Sequence, residues 1–168
     1  MILLTLDTNS DILSACVTKN EKLLSEINIY NLKNHSINSI NIIDCILKNS
    51  NIAINDVDGF ILSKGPGSFT GLRIAFSIIK AFSFSLKKPM ISLSSLDSLC
   101  FRENFNGIVC SIINALRDEI YINSFRYKDE IIQNRFEGEI IHINNIKKYL
   151  KSKNTNLDNI LFTGDGTI

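Results

Sequence analysis

The apolar residues of this chain come in short clusters whose period changes along its length. Residues 2–6, 12–18 and 23–30 are apolar runs of strand length. In the third, Leu23, Ser25, Ile27 and Ile29 share one face and the more polar residues the other. Short polar turns such as Thr18-Lys19-Asn20-Glu21 join the runs, which predicts an antiparallel meander. Over residues 35–49 the apolar positions become Ile37, Ile40, Ile42, Ile43, Ile46 and Leu47. That is helical spacing, with Asn34 as the cap. Residues 59–63 (GFILS) then read as a short strand of a buried sheet. A second helix is predicted over 70–86, stopped by Lys87, Lys88 and Pro89. A strand at 90–93 and a helix at 95–101, capped by Ser94 or Ser95, follow.

The order βββαβαβα fills residues 1–104 and predicts a mixed sheet with helices packed on it. A second series begins near Gly107, with strands at 108–113, 119–127 and 130–136, a helix at 143–150 and a strand at 160–163. It repeats the start of the first series and stops just after Gly164-Asp165-Gly166. The predicted fold is therefore α/β, of the actin-like, ribonuclease-H-like kind. It has mixed sheets flanked by helices, an N-terminal lobe at 1–104 and a partial, truncated second lobe at 105–168.

Composition narrows the function. With 45% hydrophobic and 21% charged residues the chain can bury a core, and its net charge of +1 cannot grip nucleic acid by charge alone. RNA contacts would have to come through a partner. The N-terminus has no basic region ahead of an apolar run, so it does not read as a signal peptide. Residues 72–86 are the most apolar segment, but Arg73 and Lys80 interrupt it and it is short for a bilayer. A cytoplasmic protein without membrane attachment is expected. Cys16, Cys45, Cys100 and Cys110 have no zinc spacing and read as small apolar side chains. His35 would need a second metal ligand near position 39, which is Ser39, and the other histidine is His142. No metal and no cofactor are expected. Ser68 has no G-x-S-x-G context, and no catalytic residue is assigned.

The most informative run is Lys64-Gly65-Pro66-Gly67-Ser68-Phe69-Thr70-Gly71-Leu72-Arg73. It leaves a buried strand and opens a helix. Gly65, Gly67, Ser68, Thr70 and Gly71 could cradle an anion with backbone N–H groups. The run is neither a P-loop nor GxGxxG. The glycines could equally serve close packing of helix on strand.

This run, GPGSFTGLRI, resembles the signature of the TsaB (YeaZ) family. Asp7-Thr8-Asn9-Ser10 is similar to that family's opening turn, and Asn34-His35-Ser36 to the start of its first helix. Asp58, Ser94-Ser95-Leu96, Glu119-Ile120-Tyr121 and Gly164-Asp165-Gly166 fall in matching order. Two features depart from it. Asn114-Ala115-Leu116-Arg117 stands where the family has an Asp-Ala-Arg turn, and the chain stops soon after the GDG. The resemblance implies a non-catalytic partner subunit that binds and activates a TsaD-type threonylcarbamoyltransferase, which modifies the tRNA adenosine beside the anticodon. A TsaE-like ATPase would complete the assembly. It further implies a heterodimer with the TsaD-like protein, self-association when alone, and contact with tRNA only through the complex. The alternative is a small-molecule kinase or ATPase of the actin-like superfamily. Against it, neither turn that would face a nucleotide between the lobes, Asp7-Thr8-Asn9-Ser10 or residues 114–118, has a glycine, and Asn114 puts an amide where a cation would want charge.

The two long helices point to a partner as well. Both are apolar over more of their circumference than one sheet needs. Helix phase puts Ile37, Ile40, Asn41 and Asp44 of the first and Leu72, Phe76 and Lys80 of the second at the expected interface.

Overall fold

The computed structural model describes residues 1–30, 35–101, 105–129, 131–153 and 159–167, with the side chains of 35–37 and 167 outside that set. The expected cap Asn34 and the side chains of His35 and Ile37 therefore lie outside the described residues. The chain divides into two units, Met1–Leu93 and Ser94–Ile168.

The first unit carries a five-stranded sheet in the order β3-β2-β1-β4-β5. Its strands are β1 (Ile2–Asp7), β2 (Ile12–Lys19), β3 (Lys22–Tyr30), β4 (Gly59–Ser63) and β5 (Met90–Leu93). β1, β2 and β3 pair antiparallel as the predicted meander, while β1–β4 and β4–β5 are parallel. Helix α1 (His35–Asn49) packs on β2 and β3; α2 (Phe69–Leu86) packs on β1, β4 and β5 and touches α1. Alternation along the strands sends Leu4, Leu6, Leu13, Ala15, Val17, Phe60 and Leu62 into one core. There Ile42, Ile43, Ile46 and Leu47 of α1 and Ala75 and Ile79 of α2 meet them. The Phe60 and Phe82 rings stack at 5.9 Å.

The second unit has a four-stranded sheet, β8-β7-β6-β9, formed by β6 (Gly107–Leu116), β7 (Glu119–Lys128), β8 (Ile131–His142) and β9 (Ile160–Thr163). Its antiparallel β6–β7–β8 meander and parallel β6–β9 pair repeat the 3-2-1-4 order of the first four strands. Both faces are covered. Tyr149 and Leu150 of α4 (Ile146–Ser152) lie against Ile108, Cys110, Ile112, Ile120 and Ile122. On the other face Cys100 of α3 (Ser95–Cys100) packs with Val109, Phe125 and Tyr127.

This packing moves the boundary between the units from the expected 104/105 to Leu93/Ser94. Tyr127 donates its hydroxyl to the Cys100 carbonyl at 3.0 Å, and the Cys100 thiol donates to the Val109 carbonyl at 3.5 Å, tying α3 to the second sheet. Element bounds also differ, and β6 runs to Leu116 instead of ending at 113. β8 runs on to His142 instead of ending at 136, because bulges opposite Ile122–Ser124 and Arg126–Tyr127 break the period-two pattern. The helix expected at 143–150 begins with a 3₁₀ turn, Ile143–Asn145, and reaches Ser152.

Candidate functional site

The end of β1 and the glycine run after β4 form one tightly locked assembly. Asp7 closes its own turn by accepting the Asn9 N–H at 2.9 Å. Thr8, 1% exposed, donates its hydroxyl to the Gly71 carbonyl at 2.6 Å. Asn9, 8% exposed, donates its side-chain amide to Ser63 Oγ at 2.6 Å, and Ser63 Oγ also accepts the Gly65 N–H at 3.2 Å. Ser68 N–H donates to the Asn9 carbonyl at 2.7 Å. Ser68 Oγ caps α2 by accepting the Gly71 N–H at 3.3 Å.

The glycines are set by this contact. A Cβ on Gly71 would lie 1.8 Å from the Thr8 carbonyl oxygen, and one on Gly67 would lie 2.6 Å from that of Asn9. Gly65, at φ 90°, sits under Leu72. The N–H groups of Lys64, Gly65, Ser68, Gly71 and Leu72 are thus spent inside the protein. Burial raises the Asp7 carboxyl above its ordinary range, while the Asn9 and Thr8 N–H groups pull the other way.

The second unit carries a similar junction. Gly164, at φ 110°, would place a Cβ 2.1 Å from the Ile112 carbonyl oxygen, and Gly166 one 2.5 Å from the Ile112 side chain. Asp165 accepts the Asn114 N–H at 3.1 Å, and Asn114 accepts the Leu116 N–H at 2.8 Å. Leu116, Arg117 and Asp118 all have positive φ, and Leu116 is exposed. Asn114 is thus a turn-forming residue. His142 is one too, its Nδ1 accepting the Asn144 N–H at 3.2 Å.

On α1, Ile40 is 47% exposed, Asn41 is exposed, and Asp44 is exposed in an ion pair with Lys48 at 2.6 Å. On α2, Phe76 is 44% exposed, Lys80 is exposed and Leu72 is half-buried beside Gly65. Apart from Ile37, the expected interface residues therefore sit at the surface or half out of it. Cys45, expected as a small apolar side chain, is exposed on α1. By length and composition α2 could cross a membrane.

One network was not foreseen. Asp97 of α3 receives the Asn123 amide and the Arg135 guanidinium, each at 2.6 Å. A polar Asn123 amid the apolar positions of β7 was the available signal, but its partners are distant in sequence.

The family model described as "TsaD: tRNA N6-adenosine threonylcarbamoyltransferase" matches residues 22–167. The tRNA threonylcarbamoyladenosine biosynthesis protein TsaB of Buchnera aphidicola subsp. Schizaphis graminum is 30% identical over 154 residues, covering 89% of this chain and 73% of that one. The chain belongs to the TsaB family. Another TsaB relative, from Bacillus subtilis, is 27% identical over 168 residues, covering 99% of this chain and 72% of its own length. Among solved structures, YeaZ from Pseudomonas aeruginosa superposes with a TM-score of 0.75 at 24% identity, over 84% of this chain and 67% of that one. This likeness establishes a common fold for the TsaB-family chain and YeaZ.

Proposed function

We propose that this chain takes part in tRNA threonylcarbamoyladenosine biosynthesis as a non-catalytic subunit. In this reading it binds and supports a TsaD-type threonylcarbamoyltransferase through the outer faces of α1 and α2. The observation that carries it is the exposure of Ile40 and Phe76, at 47% and 44%, on two helices that touch each other and turn Ile42, Ile43, Ile46, Leu47, Ala75 and Ile79 into the core. Half-exposed large apolar residues on adjacent helices fit a partner that docks helix against helix. A TsaE-like ATPase and tRNA would join the same cytoplasmic assembly, and self-association of the lone chain would use the same faces.

The locked turn speaks against catalysis by this chain. The Asp7 carboxylate accepts its own turn's N–H, and Gly67 and Gly71 are filled by the Thr8–Asn9 backbone. We read the glycine run as a packing device that fixes α2 against β1. A small-molecule kinase or ATPase would need that carboxylate and those N–H groups turned to a nucleotide.

Mixing the chain with the TsaD-type protein of its own organism and sizing the mixture tests the proposal. The expected outcome is a heterodimer that gains tRNA-modifying activity once a TsaE-type ATPase and threonylcarbamoyl adenylate are added. A chain that stays apart yet hydrolyses ATP by itself would overturn it.

A further inference from the structure

Strand β8 (Ile131–His142) stands at one edge of the second sheet, with β7 on its inner side. Every residue of it is exposed except Phe136 and Ile141. Ile131, Ile132 and Ile140 are 64%, 41% and 56% exposed. A long edge strand offers its outer N–H and C=O groups to another strand, and natural sequences blunt such edges with lysine, proline or bulges. β8 has no lysine and no proline. It does have two bulges, but their placement leaves the edge one way to pair.

Each bulge inserts one residue into β8. One falls at Gln133, between Asn134 opposite Arg126 and Ile132 opposite Tyr127. The other falls at Glu137–Gly138, between Glu139 opposite Ile122 and Phe136 opposite Ser124. Phe136 therefore has one insertion in each arm of the strand. Counted outward from it along the ladder, Arg135 matches the Glu137–Gly138 bulge, Ile132 matches Ile140 and Ile131 matches Ile141. The faces match as well, because β7 carries no insertion and its alternation assigns them. Ile132 and Ile140, opposite Tyr127 and Tyr121, share one face of the sheet. Ile131, Phe136 and Ile141, opposite Lys128, Ser124 and Ile120, share the other. Turned about a twofold axis through Phe136, β8 is complementary to itself. Isoleucine meets isoleucine twice on each face, and Arg135 meets Glu137 twice. Asp97 holds the Arg135 guanidinium at the strand through their 2.6 Å bond.

We propose that β8 pairs antiparallel with β8 of a second copy of this chain, centred on Phe136, so that two four-stranded sheets become continuous. The contact is isologous and closes at two copies. It draws on none of the residues assigned to the TsaD-type partner, since α1 and α2 belong to the first unit and β8 to the second. It is also distinct from self-association through α1 and α2.

Sedimentation velocity over a concentration series tests this on the full chain carrying Ile40→Asp and Phe76→Asp, which breaks contacts through α1 and α2. That chain is expected to reach a dimer. Adding Ile140→Asp or Glu137→Arg, both at exposed positions, should weaken the dimer roughly 10-fold or more, with a circular-dichroism melt showing that the fold holds. Cross-linking checks the register without touching the helices. In a Cys45→Ser background, Phe136→Cys should form an intermolecular disulfide on mild oxidation, because the two copies of residue 136 face each other. Ile131→Cys should not, because its own copy lies roughly 26 Å away at about 3.3 Å per residue. A chain that stays monomeric with α1 and α2 blocked overturns the proposal. So does a dimer that survives both Ile140→Asp and Glu137→Arg, or cross-linking at residue 131 as efficient as at 136. None of these measurements depends on pairing with the TsaD-type protein.

Discussion

Asp7 shows how one buried carboxylate ties turn geometry to pH. Burial raises its folded-state pKa above the ordinary 3.8, so the folded chain holds this proton more tightly than the unfolded chain does. Stability from this group therefore falls as pH rises from about the ordinary value through the raised one, and stays lower above it. Asp7→Asn keeps the oxygen that accepts the Asn9 N–H and removes the buried charge. It is expected to raise the urea midpoint at neutral pH, with the gain vanishing below the ordinary carboxylate pKa; melts at both pH values check this. The cysteines divide by the same physics. Burial pushes the Cys110 thiol up to about 12, whereas Cys45 lies exposed on α1. Since the thiolate is the reactive form, iodoacetamide at mildly alkaline pH should label Cys45 in the native protein. Cys110 should react only after denaturation, with peptide mass spectrometry as the readout. The sequence pointed to free, apolar thiols, but which of them faced water depended on helix phase and on what packed there.

At the scale of elements, the junction between β1 and α2 is the most demanding. Gly71 has no room for a methyl group against the Thr8 carbonyl, so α2 sits closer to the strand than any other residue there would allow. Gly71→Ala is expected to cost roughly 3 kcal/mol in urea denaturation, at the upper end of overpacking changes, because a backbone oxygen cannot step aside. Ser68→Ala, which removes only the cap of α2, should cost about 1 kcal/mol. The order of those two losses separates a packing junction from a simple helix start. Periodicity made the helices and the first meander legible, since 3.6- and 2-residue repeats follow directly from backbone geometry. It failed at β8, where almost every residue is exposed and bulges interrupt the alternation.

Across the whole molecule, two units repeat one plan. A three-stranded meander, a helix and a parallel fourth strand recur, and in each unit a glycine turn after that fourth strand presses on the end of the first. Interaction surfaces are what the plan leaves over. Ile40 and Phe76 contribute little to the core they flank, so Ile40→Asp and Phe76→Asp should change stability by less than about 0.5–1 kcal/mol. Together they should abolish pairing with the TsaD-type partner on a sizing column. Pairing that survives both charges would place the interface elsewhere.

The sequence by itself determined the element order, the mixed sheets, the glycine run at the head of α2 and the family, because these rest on local periodicity and contiguous motifs. Tertiary structure decided what no local pattern holds. It assigned α3 to the second unit through Cys100 and Tyr127, and it spent the glycines on contact with Thr8 and Asn9. It also separated the apolar residues of α1 and α2 into those that fill the core and those left facing water. Each of these depends on which distant backbone comes within a few ångströms, a property of the assembled sheet that the spacing of residues along the chain does not carry.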